Sequence, residues 1–302
     1  MRKAILTVCC FLSIVVVVDR GVGAFLKTGL KRYFGLSKPA NVLCVGHSRT
    51  VLGVDPKKLS QGLGVPVAKY GMDGVNIFDR CAMVRHFLAR QPGVRVLLFD
   101  VESTSFTDSQ LSSNSYRLFL PFIDEPEFAN LVRSQCPSVL EFWLYRLLTT
   151  ARYDEATVNR SVRGWFGYDE NLKHGQVNLE LLRARTASGR IRPVKIEPAS
   201  YAAFVELISE LSERGVHIVL WHPPTIDILD DVDRTDRERV RQHFREIAAA
   251  NERVSYLEYV QDYRSQHDLF YDGIHMNGKG KSVVTDRLIL DIRRLGVIAS
   301  HE

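Results

Sequence analysis

Two short stretches of the chain hold residue types that together can transfer an acyl group. The first is Gly46-His47-Ser48-Arg49-Thr50, directly behind the apolar run NVLCVG at 41–46. A serine just past the end of a buried strand projects its hydroxyl into the crevice of the sheet. Backbone N–H groups of the turn that follows point at the same spot, so one turn supplies both a nucleophile and an oxyanion donor. The second stretch is Tyr271-Asp272-Gly273-Ile274-His275-Met276-Asn277, immediately before the last helical pattern. An aspartate and a histidine three residues apart on a tight turn can meet side chain to side chain. The carboxylate then accepts from one imidazole nitrogen and leaves the other free to take a proton from a serine. Each residue also has a plainer use: Ser48 as a helix cap, Asp272 as a turn former with Gly273, His275 at a helix end. The Gly-x-Ser-x-Gly elbow of the α/β-hydrolases is not met, because Thr50 stands at its last position.

These residues need a frame that brings positions 48 and 275 together, and the apolar pattern supplies one. Strands are expected at 41–46, 65–68, 94–99, 216–221 and 254–257, and helices at 77–90, 201–214, 234–250 and 277–294, with Gly215 closing the second of these. Strand–helix alternation of this kind predicts a parallel sheet with helices on both faces. About a hundred residues between the third and fourth strands, roughly 103–198, break the alternation. They are rich in aromatics and include Pro137-Ser138 followed by VLEFWLYRLL, a capped amphipathic helix. Such an insertion is either a substrate lid or a subdomain. Ligands of an open parallel sheet sit outside the carboxyl ends of its strands, where this insertion leaves the sheet.

A serine after the first strand and Asp-x-x-His before the last helix is the arrangement of the SGNH/GDSL hydrolase superfamily, which this chain resembles through VLCVGHSRT, VAKYGMDG and FYDGIHMNGKG. More closely it is similar to bacterial membrane-anchored SGNH-like proteins of the esterase and O-acyltransferase kind. The resemblance implies a flavodoxin-like three-layer α/β/α domain of about five parallel strands, carrying the long, mostly helical insertion between strands 3 and 4. It implies Ser48 as nucleophile, His275 as general base, Asp272 orienting His275, and the Gly74 N–H joining that of Ser48 in an oxyanion hole. It implies no cofactor and no metal. Two departures stand out. His47 occupies the place where the family usually has aspartate, and Asp100-Val101-Glu102-Ser103 follows the third strand without the family's hole-completing asparagine. Asn76, close to Gly74, is the candidate substitute. Two readings follow: an esterase or O-acyltransferase acting on acetyl or other acyl esters of an envelope or exported polysaccharide, or an inactive module that binds polysaccharide or serves in an export or assembly complex of the envelope. Arg49, beside the serine, and His222, at the end of the fourth strand, are candidate substrate contacts.

The start of the chain speaks about address. Met1-Arg2-Lys3 precedes 15 uncharged residues, AILTVCCFLSIVVVV, ending at Asp19-Arg20. A basic start and an apolar run of this length match a signal or short membrane anchor, so residues 1–36 are expected to be anchor and linker and 37–302 the SGNH-like domain, placed in the periplasm or otherwise outside the cytoplasm. If the segment is cleaved after Val22-x-Ala24, the domain is secreted. Over all 302 residues the net charge is +5, with both signs scattered, unlike the clustered stripe of a nucleic-acid groove. Five cysteines without metal or disulfide spacing read as filler.

Overall fold

The computed structural model describes residues 1–112, 115–168, 171–189 and 192–298. Along the chain run α1 (Arg2–Tyr33), β1 (Val42–Gly46), α2 (Ser48–Gly53), α3 (Pro56–Leu63), β2 (Val67–Gly71), α4 (Ile77–Arg90), β3 (Val96–Asp100), α5 (Ser115–Phe119), α6 (Pro126–Gln135), α7 (Val139–Leu147) and α8 (Glu155–Phe166). They are followed by α9 (Leu179–Ala187), α10 (Pro198–Glu213), β4 (His217–His222), α11 (Asp227–Asp230), α12 (Arg234–Ala250), β5 (Val254–Glu258), α13 (Val260–Tyr263) and α14 (Gly278–Arg294). The chain divides into two compact units, residues 1–37 with 113–169, and residues 38–112 with 170–302.

The second unit is built on a five-stranded, all-parallel sheet of order β2-β1-β3-β4-β5. This is the doubly wound, flavodoxin-like order, whose strand direction of travel reverses between β1 and β3. The strands read as apolar runs because both faces are covered. On one face Val42, Cys44, Val96, Leu98, Val219 and Trp221 pack with Val284, Leu288 and Ile292 of α14. On the other, Phe99 meets Phe204 of α10 with ring centroids 5.8 Å apart. All five expected strands form, and their edges shift for local reasons. Pro66 has no N–H and stays outside β2, but its carbonyl accepts from Asn41 at 2.9 Å and so sets the register of β1. Burial pushes the thiols of Cys44 and Cys81 up to about 12, which suits inert filler.

The first unit gathers α1 with α5 to α8. Its main contact is between α1 and α8, where the Ser161 hydroxyl donates to the Leu26 carbonyl at 2.6 Å and the Trp165 indole N–H to the Phe25 carbonyl at 3.1 Å. The Arg32 guanidinium lies 4.0 Å from the Trp165 ring centroid. The insertion read from the sequence is thus divided: residues 113–169 belong to the unit that contains α1, and α9 belongs to the sheet unit. Ser138 caps α7 by accepting the N–H of Glu141 at 3.0 Å, as the Pro-Ser signal predicts.

Candidate active site

The turn after β1 is fixed before its serine does anything. His47, not Ser48, is the N-cap of α2: its Nδ1 accepts the N–H of Arg49 at 3.1 Å. The other ring nitrogen, Nε2, stands 3.2 Å from Glu102 Oε1. Ser48 is therefore the first residue of the helix, and its N–H is one of the four at a helix start that have no intrahelical acceptor. Asp100, the last residue of β3, accepts the N–H of His47 at 3.0 Å and the Thr50 hydroxyl at 2.7 Å. Its second oxygen pairs with Arg80 of α4, and both partners are buried. Burial raises the Asp100 carboxyl, but His47, Arg80 and Thr50 outweigh it and hold the group below the usual carboxylate range. Gly46 is required here by space, since a Cβ would lie 2.0 Å from Thr50 Oγ1 and 2.2 Å from Asp100 Oδ2.

The second stretch forms the tight turn expected of it. Asp272 Oδ1 accepts the N–H groups of Ile274 and His275, each at 2.9 Å, while Oδ2 stands 2.7 Å from His275 Nδ1. One carboxylate thereby serves both as turn former and as partner of the imidazole. Burial raises its carboxyl, and the His275 ring and the two N–H donors reverse this, leaving it below its ordinary value. The loop is closed by a bridge between Phe270 and Met276 and anchored by Asn277, which caps α14 and donates to the Asp268 carbonyl at 2.8 Å.

The two stretches meet. Ser48 Oγ lies 2.7 Å from His275 Nε2. With Nδ1–H given to Asp272, Nε2 carries the lone pair and accepts the Ser48 hydroxyl proton in its hydrogen bond. Serine, histidine and aspartate form one continuous chain at the carboxyl ends of the strands, on the β1 side of the β1/β3 switch point, where ligands of such sheets bind. Beside them opens a cavity of about 430 Å³ whose walls include Glu102, Leu182, Leu229, Arg237 and His275. Gly74 sits in the loop between β2 and α4 with φ +78°, and that loop leaves β2 next to the serine turn, Met72 N–H reaching the Gly46 carbonyl at 3.2 Å.

The remaining candidates are placed differently. The Asn76 amide is committed: its oxygen caps α4 by accepting from Phe78 and Asp79, and its nitrogen donates to the Gln110 carbonyl at 2.8 Å. The oxygen and one of the two amide hydrogens are thus engaged, and the side chain is held as the cap of α4. Arg49 is buried and donates to Glu102 at 2.9 Å, to the Pro223 and Pro224 carbonyls and to the Thr225 hydroxyl at 2.7 Å, so it ties the β1 turn to the β4 turn instead of presenting a free charge. His222 is not a substrate contact. It points into the sheet–α12 layer, with Nδ1 2.9 Å from the Tyr256 hydroxyl and its ring against Phe244. Burial, then Arg49 and Arg241, keep it well below its ordinary value and neutral. Three residues that shape the site, Arg80, Glu102 and Arg237, are given no site role by the sequence. Arg80 was findable: three positions after Ile77 and one before Cys81, it falls on the apolar face of α4, where an unpaired arginine is untenable.

No protein-family model and no curated protein sequence matches the chain. Among solved structures it is similar to a Bacteroides fragilis protein assigned as an acylhydrolase, with 10% identity, TM-score 0.45 and coverage of 90% of this chain and 98% of that one. It is similar to a GDSL-like lipase of Bacteroides thetaiotaomicron at 9% identity and TM-score 0.43, covering 89% and 98% of the two chains. A catalytic mutant of an acetylxylan esterase from Geobacillus stearothermophilus aligns at 12% identity and TM-score 0.40, covering 87% and 97%.

Proposed function

We propose that the sheet unit is a serine esterase or O-acyltransferase with Ser48 as nucleophile, His275 as general base and Asp272 as the group that orients it. The observation that carries this reading is the unbroken chain of two 2.7 Å contacts, Ser48 to His275 and His275 to Asp272. In the reaction, Ser48 Oγ attacks the ester carbonyl while its proton passes to His275 Nε2. The tetrahedral oxyanion is met by the N–H of Ser48 and that of Gly74. Collapse expels the alcohol, which leaves with the proton from His275, and an acyl ester remains on Ser48. Water or a second hydroxyl then attacks that ester with His275 again as base, giving hydrolysis or transfer respectively. The carbohydrate part of the reading, an acetyl or other acyl ester on an envelope polysaccharide, comes from the family resemblance; the residues themselves support the acyl chemistry.

The same proposal places α1 in a membrane and the sheet unit outside the cytoplasm. α1 is 32 residues long and apolar enough to span a bilayer. Its residues from Ile5 to Val18 are largely exposed, an apolar surface too large to be left in water. Within the same unit, α7 exposes Val139, Leu140, Trp143, Leu144 and Leu147, a stripe at helical spacing on one side. The end of α7 is tied to the end of the apolar run: Arg20 donates to the Leu147 carbonyl at 2.9 Å, and Asp19 accepts from the Thr149 and Thr150 N–H groups at 2.8 and 2.9 Å. An amphipathic helix with an exposed tryptophan, fixed at the point where a spanning segment turns polar, suits the membrane–water interface.

A non-catalytic polysaccharide-binding role is favoured by one observation, that the Asn76 side chain is held as the cap of α4 and by the Gln110 carbonyl. Fluorophosphonate labelling separates the two. Under the enzyme reading the wild-type chain labels and folded Ser48→Ala and His275→Ala do not; an unlabelled, folded wild type supports the binding role.

A further inference from the structure

The cavity lined by Asp272 and His275 carries a positive charge that the triad chemistry does not use. Arg237, in the first turn of α12, lines it together with His275 and is only 8% exposed. Its Nε donates to the Val232 carbonyl at 2.8 Å, which fixes the guanidinium, and it forms no ion pair with any described residue. The acids that might neutralise it are taken. Asp230 pairs with Arg241 and, at 3.1 Å, with Arg264. Glu102 is held by Arg49 at 2.9 Å and His47 at 3.2 Å, and Asp272 is the partner of His275. Burial lowers the Arg237 guanidinium from its ordinary value; Asp230 and Glu102 act against this from beyond ion-pair distance, Arg49 and Arg241 act with it, and the group stays lowered. Two more arginines stand at the cavity wall. Arg192 is paired with Asp108 at 2.5 Å, whereas exposed Arg185 of α9 has no ion pair among the described residues.

A buried, unpaired and positionally fixed guanidinium costs folding free energy, and an incoming anion removes that cost. A bidentate oxyanion is the natural partner of its planar fork. From this geometry we infer that the ester acted on at Ser48 carries a carboxylate, or an equivalent oxyanion, which docks on Arg237 with Arg185 assisting at the mouth. The inference rests on the acyl-transfer reading of Ser48 and adds the charge of the substrate to it. The carboxylate belongs either to the acyl half, as in a dicarboxylic half-ester, or to the alcohol half, as in an acetylated uronic acid.

The test uses the full chain and matched pairs of esters. One pair is 4-nitrophenyl hydrogen glutarate against 4-nitrophenyl butyrate; the other is an O-acetyl uronic acid glycoside against the corresponding O-acetyl hexoside. The expected result is a preference of roughly ten- to hundredfold in kcat/KM for the anionic member of one pair, the size of a charge-assisted hydrogen-bonded contact. The pair that shows it identifies the half that bears the charge. In Arg237→Gln the ratio falls toward one, in Arg237→Lys it is partly kept, and in Arg185→Gln it drops by a smaller factor. The preference also shrinks as salt is raised from low to about 0.5 M, more so for the Arg185 share. Equal rates within both pairs, or a ratio unchanged in Arg237→Gln and Arg185→Gln alike, overturn the inference while leaving the Ser48 reading intact. To separate the two, the same acetylated sugars are titrated calorimetrically onto Ser48→Ala. Preferential binding of the uronic acid, lost in the Ser48→Ala, Arg237→Gln double variant, upholds the subsite even if no turnover is found. Indifferent binding and indifferent rates together reject it.

Discussion

Asp100 accepts the backbone N–H of His47 at 3.0 Å, so the carboxylate that ends β3 holds the residue immediately before Ser48 on the neighbouring strand's turn. The same side chain binds the Thr50 hydroxyl at 2.7 Å and pairs with Arg80 on α4. Three elements are thus tied by one buried group, and the serine is positioned by what surrounds it. Asp100→Ala leaves Arg80 as an uncompensated buried cation and frees two donors. It is expected to destabilise the sheet unit by about 3–5 kcal/mol, measured by guanidinium unfolding. A loss below about 1 kcal/mol, the scale of an exposed pair, contradicts the role given to Asp100.

The catalytic assignment predicts a graded series. Removing Ser48 or His275 is expected to lower turnover by about 10⁴-fold or more without unfolding the chain. Asp272→Asn tests something subtler. Its amide keeps a shape that accepts the Ile274 and His275 N–H groups but offers His275 Nδ1 a donor or a weak acceptor, which favours the wrong tautomer. Loss of about 10³- to 10⁴-fold in kcat with the thermal midpoint nearly unchanged fits that role. A parallel fall in stability would instead make Asp272 a turn former only.

Much of this was legible in the chain, because it is local. The strand runs, the Ser48 turn and the Asp-x-x-His turn are each carried by fewer than eight consecutive residues, and parallel strands announce themselves by being apolar on both faces. What could not be read is long-range pairing. Arg49 stands beside the serine in sequence, and only the fold shows its two terminal nitrogens bonded to Glu102, Pro223, Pro224 and Thr225. His222 ends a strand on the catalytic side, yet its side chain turns under the sheet to Tyr256. Asn76 has a local use that its sequence also carries: Asn-x-x-Asp before a helical run is a capping box, and both halves of the box are formed. The halves of the insertion share one sequence character but belong to different units, which composition cannot divide.

Acid should weaken the sheet unit through the same carboxylates. Asp100 lies below its ordinary value and Glu102 well below it, the latter because His47, Arg49 and Thr104 outweigh burial. For a carboxylate lowered by folding, the stability it contributes is complete above its unfolded value, near 4, and is lost as pH falls through the folded value. Unfolding free energy is therefore expected to be nearly flat from pH 7 to about 5 and to decline steeply below about 4. Asp100→Asn, already lacking one of these charges, should start lower and decline less over the same range, in chemical denaturation at pH 7, 5 and 3. An equal decline in both proteins would place the acid sensitivity elsewhere.

The last prediction concerns α7, whose Val139 and Leu140 are 75% and 81% exposed while its carboxyl end is bonded to Arg20 of α1. If α1 spans a bilayer, that bond holds α7 near the level at which the span turns polar, and the stripe through Trp143 lies among headgroups. In full-length protein reconstituted into phosphatidylcholine–phosphatidylglycerol vesicles, Trp143 fluorescence should be quenched by lipids brominated high on the acyl chain more strongly than by those brominated near its end. Trp165, stacked on Phe25 at 4.9 Å, and Trp221, buried beneath the sheet, supply background that Trp143→Phe measures directly. Leu140→Glu, a change on an exposed position that should cost the folded unit little, is expected to raise the accessibility of Trp143 to aqueous iodide. Quenching of Trp143 by iodide that is already complete in the wild type would put α7 in water and leave its apolar stripe to a protein partner.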